Sequence, residues 1–248
     1  GNVDQLELSS MQLEWGMVTK VDLSGKIRNV LDWNNGYADF EVQNLQTNYA
    51  DIHQAMSLFS LDNTVLPKNF ETLGLMTYQG HLQNQKFDWR MYGDFNSAIG
   101  RLNGDVDLSL NEKGHYAGYL ELENFDLGAY YHTSQVGSVS ANLDIHGEGL
   151  ALSDMKVELD GDISAMELLD YNYRDISVSG LLENRAFIGD VVVNDPNADL
   201  IFSGGIDFKR EMPELKCDLT VHSANLKSLG ILGQWPYSNI SGTAQLNT

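Results

Sequence analysis

Apolar and polar residues alternate along almost every segment of this chain, and this period of two restricts the fold more than any other feature. One clear segment has its apolar residues at Val139, Ala141, Leu143 and Ile145, with polar residues between them. Successive side chains of a β-strand point to opposite faces, so this alternation predicts a strand with one apolar and one polar face. About fourteen such segments recur, which predicts an all-β protein.

Short polar links separate these segments and indicate antiparallel neighbours. The pairs Asn103-Gly104, Asp160-Gly161 and Asn184-Arg185 and the run NDPN at residues 194–197 are predicted turns, because these residue types adopt turn geometry easily. Short turns join strands that are adjacent in the sheet. We therefore expect a meander.

Residues 49–59 break the alternation. Their apolar positions Ile52, Ala55, Met56 and Phe59 follow the i, i+3, i+4, i+7 spacing of one helix face, and Asp51 is the expected cap. The predicted fold is an elongated, curled antiparallel meander sheet with an open groove and one short helix. A two-sheet β-sandwich is the alternative, because stacking would also cover the apolar faces.

A repeat of about 100 residues supports an extended sheet. The pattern Leu120-x-Leu122-x-x-x-Asp126-Leu127 recurs 99 residues later, at residues 219–226, with Asn225 in place of the aspartate. The run VSANLDI at residues 139–145 matches ISGTAQL at residues 240–246, an offset of 101. The last run has the pattern of a strand that is cut off, and we expect the sequence to be a fragment of a longer protein.

Charge and motif content exclude several functions. Against 35 acidic side chains stand only 15 basic ones, and the net charge of −20 disfavours nucleic acid as the partner. One cysteine and six histidines show no metal-ligand spacing, and no nucleophile or phosphate-loop motif is present. The carboxylate pairs Asp105/Asp107, Glu121/Glu123 and Asp160/Asp162 fit the solvated face of a strand. We predict a non-enzymatic protein without metal or cofactor.

The apolar strand faces are the remaining candidate site. They have to be covered by closing the sheet, by stacking two sheets or by curling one sheet around its own apolar side. A curled open sheet would hold an apolar groove suited to a lipid or protein ligand. The candidate groove-lining residues are Leu120, Leu122, Val139, Leu143, Ile145, Val157, Leu159, Ile176, Val178, Leu200, Phe202, Leu219 and Val221.

Several runs give the chain a family resemblance. They are FETLGLMTYQG at residues 70–80, YLELENFDL at 119–127, VGSVSANLDIHGEGL at 136–150, MELLDYNYRDISVSG at 166–180 and DPNADLIFSG at 195–204. In these runs the chain resembles the TamB/AsmA-like family of very long bacterial envelope proteins. The resemblance divides the chain into residues 1–70, with divergent strands and a short helix near residues 50–60, and residues 71–248, a family-like repeat sheet truncated at its end.

This resemblance implies a curled β-sheet with a hydrophobic trough, lying in the periplasm. It implies an inner-membrane anchor in parts of the parent protein that this sequence lacks. The implied role is in envelope biogenesis, with phospholipid acyl chains or an outer-membrane assembly protein as partner. The alternatives are a neutral structural scaffold and a carbohydrate-binding β-sandwich, the latter favoured by the acidic composition, 11 tyrosines and the tryptophans Trp15, Trp33, Trp89 and Trp235.

Overall fold

The structure, a computed structural model, describes residues 4–29, 35–58, 68–86, 88–109, 114–149, 155–210, 214–230 and 239–247. Strands hold 75% and helices 10% of these described residues. The strands are β1 Gln5–Trp15, β2 Thr19–Arg28, β3 Tyr37–Asn48, β4 Leu75–Gln85, β5 Asp88–Ser97, β6 Gly100–Ser109, β7 His115–Asp126, β8 Val136–Glu148, β9 Lys156–Leu168, β10 Tyr171–Glu183, β11 Ala186–Asp195, β12 Ala198–Asp207, β13 Glu214–Asn225 and β14 Asn239–Asn247.

All 14 strands belong to one antiparallel sheet in which the spatial order equals the chain order from β1 to β14. Each strand therefore pairs with the strands that precede and follow it in sequence, and the sheet does not close on itself. The all-β meander predicted from the alternation is confirmed. The described strands form one sheet, not the two packed sheets of the sandwich alternative.

The chain divides into two compact units, Gly1–Leu120 and Glu121–Thr248. In the first unit the buried core centres on Leu23, Val42 and Tyr78, with half-buried neighbours such as Phe40 and Met91 packed around them. Burial, together with the nearby Glu41 carboxylate, raises the pKa of Tyr78 to about 12. The second unit has its own core, described with the site below.

Two of the predicted turns are wrong. Asn103-Gly104 lies inside β6 and Asp160-Gly161 lies inside β9, whereas Asn184-Arg185 and residues 196–197 do form turns. The glycines are needed there because neighbouring backbones approach closely. A Cβ built on Gly161, whose φ is +152°, would lie 2.1 Å from the Asn142 carbonyl oxygen of the next strand. This requirement arises from pairing between strands and mimics a turn signal in the sequence.

The predicted helix is present as α1, Tyr49–Leu58, and Phe59 lies outside the described residues. Its expected cap is wrong: Asn48 supplies the capping oxygen, accepting a hydrogen bond from the Asp51 amide at 2.8 Å. Two further short helices occur, the 3-10 helix Lys68–Leu73 and α2 Leu127–Tyr131.

Asp51 is instead directed into the turn between β1 and β2. Its carboxylate accepts hydrogen bonds from the backbone amides of Met17, Val18 and Thr19 at 2.9–3.0 Å and from the Thr19 hydroxyl at 2.8 Å. These donors lower the pKa of Asp51 to about 2, because they stabilise its charged form. The side chain is almost completely buried, and it fastens α1 to the turn.

The predicted repeat has a structural counterpart. β7 ends at Asp126, whose side chain accepts a hydrogen bond from the Ala129 amide at 2.8 Å and caps α2. β13 ends at Asn225, whose side chain accepts from the Ser228 amide at 3.1 Å in the turn that follows. Asn48 at the end of β3 makes the same contact three residues on. Each of these strands ends in an Asx residue that starts a helical turn.

Candidate functional site

Alternate residues of β8 to β14 form a continuous surface that we call the apolar face of the second unit. Strand register arranges it in rows that cross the strands. One row consists of Ala141, Ile163, Ile176, Val193, Leu200, Val221 and Gly242. The next consists of Leu143, Gly161, Val178, Val191, Phe202, Leu219 and Ala244. Then come Ile145, Leu159, Gly180, Gly189, Gly204, Cys217 and Leu246, and finally Gly147, Val157, Leu182, Phe187, Ile206 and Leu215.

Register brings nearly all of the predicted groove-lining residues onto this face. Those from Leu143 to Val221 occupy the four rows, and Val139 lies beside them, opposite Met166. Leu122 is half-buried on β7 between the exposed Glu121 and Glu123, so it follows the same alternation. Leu120 belongs to the first unit, where its side chain lies next to Gly104.

Burial is uneven over the apolar face. Val139, Val157, Ile176, Val178 and Phe202 are buried. The other predicted residues on these rows are half-buried, namely Leu143, Ile145, Leu159, Leu200, Leu219 and Val221. Full burial of large apolar side chains needs a second layer, so partial exposure at so many positions shows a face that the described residues cover incompletely.

One end of the face is closed by the turn at residues 226–230. Leu229 of that turn is 5% exposed and joins a buried cluster with Ile176, Val193, Ala198 and Ala224. Leu226 packs against the same cluster. We call residues 226–230 the second cap, because they cover one end of the apolar face of the second unit. The sequence repeat reaches Leu226, but no pattern indicates Leu229, because a single turn has too few residues to show a period.

A buried carboxylate stabilises the backbone at this closed end. Asp195 accepts hydrogen bonds from the Tyr171 hydroxyl at 2.6 Å, the Asn197 amide at 2.8 Å and the Arg174 amide at 3.1 Å. Burial and the bond to Asp195 raise the pKa of Tyr171. Every described partner of this carboxylate is a hydrogen-bond donor, so the group holds the turn before β12 in place.

The face contains residues that the candidate list omits. Leu182, Phe187, Ile206 and Leu215 form its fourth row, and the Phe187 ring lies over the glycines of β10 and β11. Their alternation was visible in the sequence and could have included them. Cys217 is buried on the same face, as expected for a thiol at an apolar strand position.

The polar strand faces carry the carboxylate pairs that the sequence predicts to be solvated. Asp162 accepts a hydrogen bond from the Ser177 hydroxyl at 2.7 Å, and Asp105 binds the Arg90 guanidinium at 3.0 Å. Glu121, Glu123 and Asp160 are solvent-exposed. In the described part of the chain, no group of three His, Cys, Asp or Glu residues is close enough to hold a metal ion. None of the helices among these residues combines the length and the apolar character that crossing a membrane requires.

Neither a scan against protein-family models, nor a search of curated proteins, nor a search of solved structures found a match to this chain.

Proposed function

We propose that the apolar face of the second unit binds the acyl chains of phospholipids, and that the chain is a non-enzymatic lipid-handling segment of the bacterial cell envelope, located in the periplasm. The observation that carries the proposal is the four apolar rows on one side of a single sheet, with most of their large side chains half-buried. The resemblance to TamB/AsmA-like proteins supports the same role.

The dimensions of the rows fit this ligand. A row that crosses seven strands spans about 29 Å, since neighbouring strands lie about 4.8 Å apart. One leaflet of a bilayer has a hydrocarbon thickness of about 15 Å, half of the ~30 Å core. A single row is therefore longer than an extended acyl tail, and each methylene removed from water contributes about 0.8 kcal/mol.

Electrostatics favour contact through the tails rather than the headgroups. The chain carries a net charge of −20, and the strand residues facing away from the rows are rich in Asp and Glu. Anionic headgroups are repelled by such a surface, whereas the apolar rows contain no charged residue along β8 to β14. We therefore place the tails on the rows and the headgroups in solvent.

Site-specific photo-crosslinking tests the proposal. A p-benzoylphenylalanine at Leu219, in the second row, should crosslink phospholipid when the full chain is incubated with phosphatidylethanolamine vesicles. The same probe at Ile188, which is 62% exposed on the opposite face, is the matched control. A phospholipid mass adduct at Leu219 and none at Ile188 is expected.

Two results would contradict acyl-chain binding. Equal lipid labelling at both positions would show non-specific contact with vesicles. A probe at Leu219 that labels only protein in an envelope extract, and no lipid, would favour the second candidate, an outer-membrane assembly protein.

A further inference from the structure

The polar face of the first unit carries an exposed aromatic side chain in a polar surround. Register places His81 on β4, Tyr92 on β5 and Asp105 on β6 opposite one another, so the three form one cross-strand row. Tyr92 is 60% exposed. An aromatic ring that faces water gives up the packing that it would gain from contact with other apolar groups. Its hydroxyl has no hydrogen-bond partner among the residues that the structure describes.

Fixed polar groups surround this ring. The Arg90 guanidinium donates to both Asp105 carboxylate oxygens, from Nε at 3.2 Å and from Nη2 at 3.0 Å. His81, Gln83, Arg90, Tyr92 and Asp105 line a depression of about 300 Å³. A two-pronged ion pair of this kind holds both side chains in one orientation, so donors and acceptors are presented at defined positions beside the ring.

A second tyrosine, Tyr119, lies on β7, two strands away from Tyr92 on β5. A Cβ built on Gly118 of β7 would lie 2.9 Å from the Val106 Cα, so β7 runs directly beside β6 at this point. Tyr119 follows, 41% exposed, between half-buried Gly118 and Leu120, and therefore faces the polar side. Two strand spacings separate the Tyr92 and Tyr119 strands by about 9.6 Å, which is close to the repeat of a disaccharide in an extended glycan.

We propose that this face binds an uncharged oligosaccharide. A pyranose ring has an apolar face of C–H groups, which stacks on Tyr92, and a rim of hydroxyls, which pairs with the Arg90–Asp105 ion pair and Gln83. The sugar two units along the chain reaches Tyr119. The nearby carboxylates Asp107 and Asp94 lie 4.0 Å from Arg90 and 3.8 Å from Arg101. Because these opposite charges already balance each other, the site suits a ligand without charge.

This site is separate from the lipid proposal, because it lies in the other unit and on the polar side of its sheet. The two proposals can therefore fail independently. A role limited to sheet stability is also distinguishable. An exposed tyrosine and an exposed ion pair contribute little to the stability of the sheet, and their loss would leave the fold intact.

The test is titration calorimetry of the full chain with cellohexaose and with chitohexaose. We expect at least one hexasaccharide to bind, with Tyr92→Ala lowering the affinity at least tenfold and Tyr119→Ala lowering it less. Tyr92→Phe keeps the ring and should keep most of the affinity. Ile188→Ala, at an exposed apolar position of the second unit, is the control and should change nothing.

Absence of heat with both hexasaccharides at millimolar concentration would overturn the proposal. Binding that survives Tyr92→Ala would also overturn it, provided that the variant keeps the far-ultraviolet circular dichroism spectrum and melting temperature of the parent. Since Tyr92 is largely exposed, we expect the variant to fold, and loss of binding then reports on the ring itself.

Discussion

The two units fasten a helical turn to the end of a β-strand in different ways. In the first, α1 follows β3 and is held by one charged group, Asp51, which accepts four hydrogen bonds from the turn between β1 and β2. In the second, the turn after β13 is held by apolar packing of Leu229 against four buried residues. The Asx contact at the start of the turn is the same in both.

This difference shows that the same helical turn after a strand can be held in place by different long-range interactions. Hydrogen bonds to a carboxylate depend on pH, whereas apolar packing depends on volume. The two fastenings should therefore respond to different perturbations, and the following predictions separate them.

The largest effect concerns the third row of the apolar face, which contains Gly204. Gly204 has φ +145°, and a Cβ there would lie 2.4 Å from the Lys216 carbonyl oxygen. Gly204→Ala should lower the free energy of unfolding by about 3 kcal/mol or more, because backbone strain and a clash with main chain combine. Urea denaturation measures this loss.

The neighbouring residue is its control. A Cβ on Gly205 would meet nothing closer than 3.5 Å, so Gly205→Ala should change the free energy of unfolding by less than about 0.5 kcal/mol. Equal effects at both positions would show that the rows of the second unit are not packed as described.

Removing the packing of the second cap should cost slightly less. Leu229→Ala leaves a cavity among Ile176, Val193 and Ala224 and should lower the free energy of unfolding by about 2 kcal/mol. The loss should be the same at pH 7 and pH 4, because none of the five buried residues of the cluster has a titratable side chain. Leu226→Ala, at a half-buried position, should cost less, and a marked pH dependence of the Leu229→Ala loss would contradict purely apolar fastening.

The fastening of α1 should show the opposite behaviour. Asp51→Asn removes the negative charge that accepts hydrogen bonds from the turn between β1 and β2. It should lower the melting temperature by roughly 5 °C at pH 7. The folded-state pKa of about 2 lies below the unfolded value, so the contribution of Asp51 is complete above about pH 4 and is lost as the pH falls towards 2. The difference between parent and variant should shrink over that range in thermal melts at stepped pH.

Asp207→Asn provides the comparison for that experiment. The Lys209 amide lowers the pKa of Asp207 as well, but this carboxylate is solvent-accessible and binds only local groups. Its substitution should change the melting temperature much less. An equal change would mean that the buried contacts of Asp51 add nothing beyond a local turn.

The smallest effect should come from the Asx contact that both units have at the start of the helical turn. Asn48→Ala and Asn225→Ala each remove a side-chain acceptor at the start of a helical turn and should each cost about 1 kcal/mol. Amide exchange of Asp51 and Ser228, the residues whose N–H groups are capped, measures the loss locally. Clearly unequal losses would show that the two junctions are not equivalent.

Local patterns predicted much of this molecule, and contacts between distant residues account for what they missed. Alternation predicted the strands and the shared face of residues such as Leu143 and Leu219, because side-chain direction depends only on position in a strand. It could not predict which of these side chains are half-buried, since exposure depends on neighbouring layers. The sequence predicts Asp51 as a helix cap because its actual partner, Met17, lies 34 residues away and leaves no local signal. The sequence predicts a turn at Gly161 because the backbone that requires this glycine, at Asn142 in β8, lies outside the local pattern.

The pairing of each strand with its neighbours in the chain also has a consequence for folding and for evolution. Every register contact of β8 to β13 can form by closing a hairpin, so the sheet can assemble progressively as the chain becomes available, with little loop-closure entropy to overcome. Duplication of a hairpin adds two strands without rerouting any connection. A sheet with this connectivity can lengthen by genetic duplication while its apolar rows stay continuous.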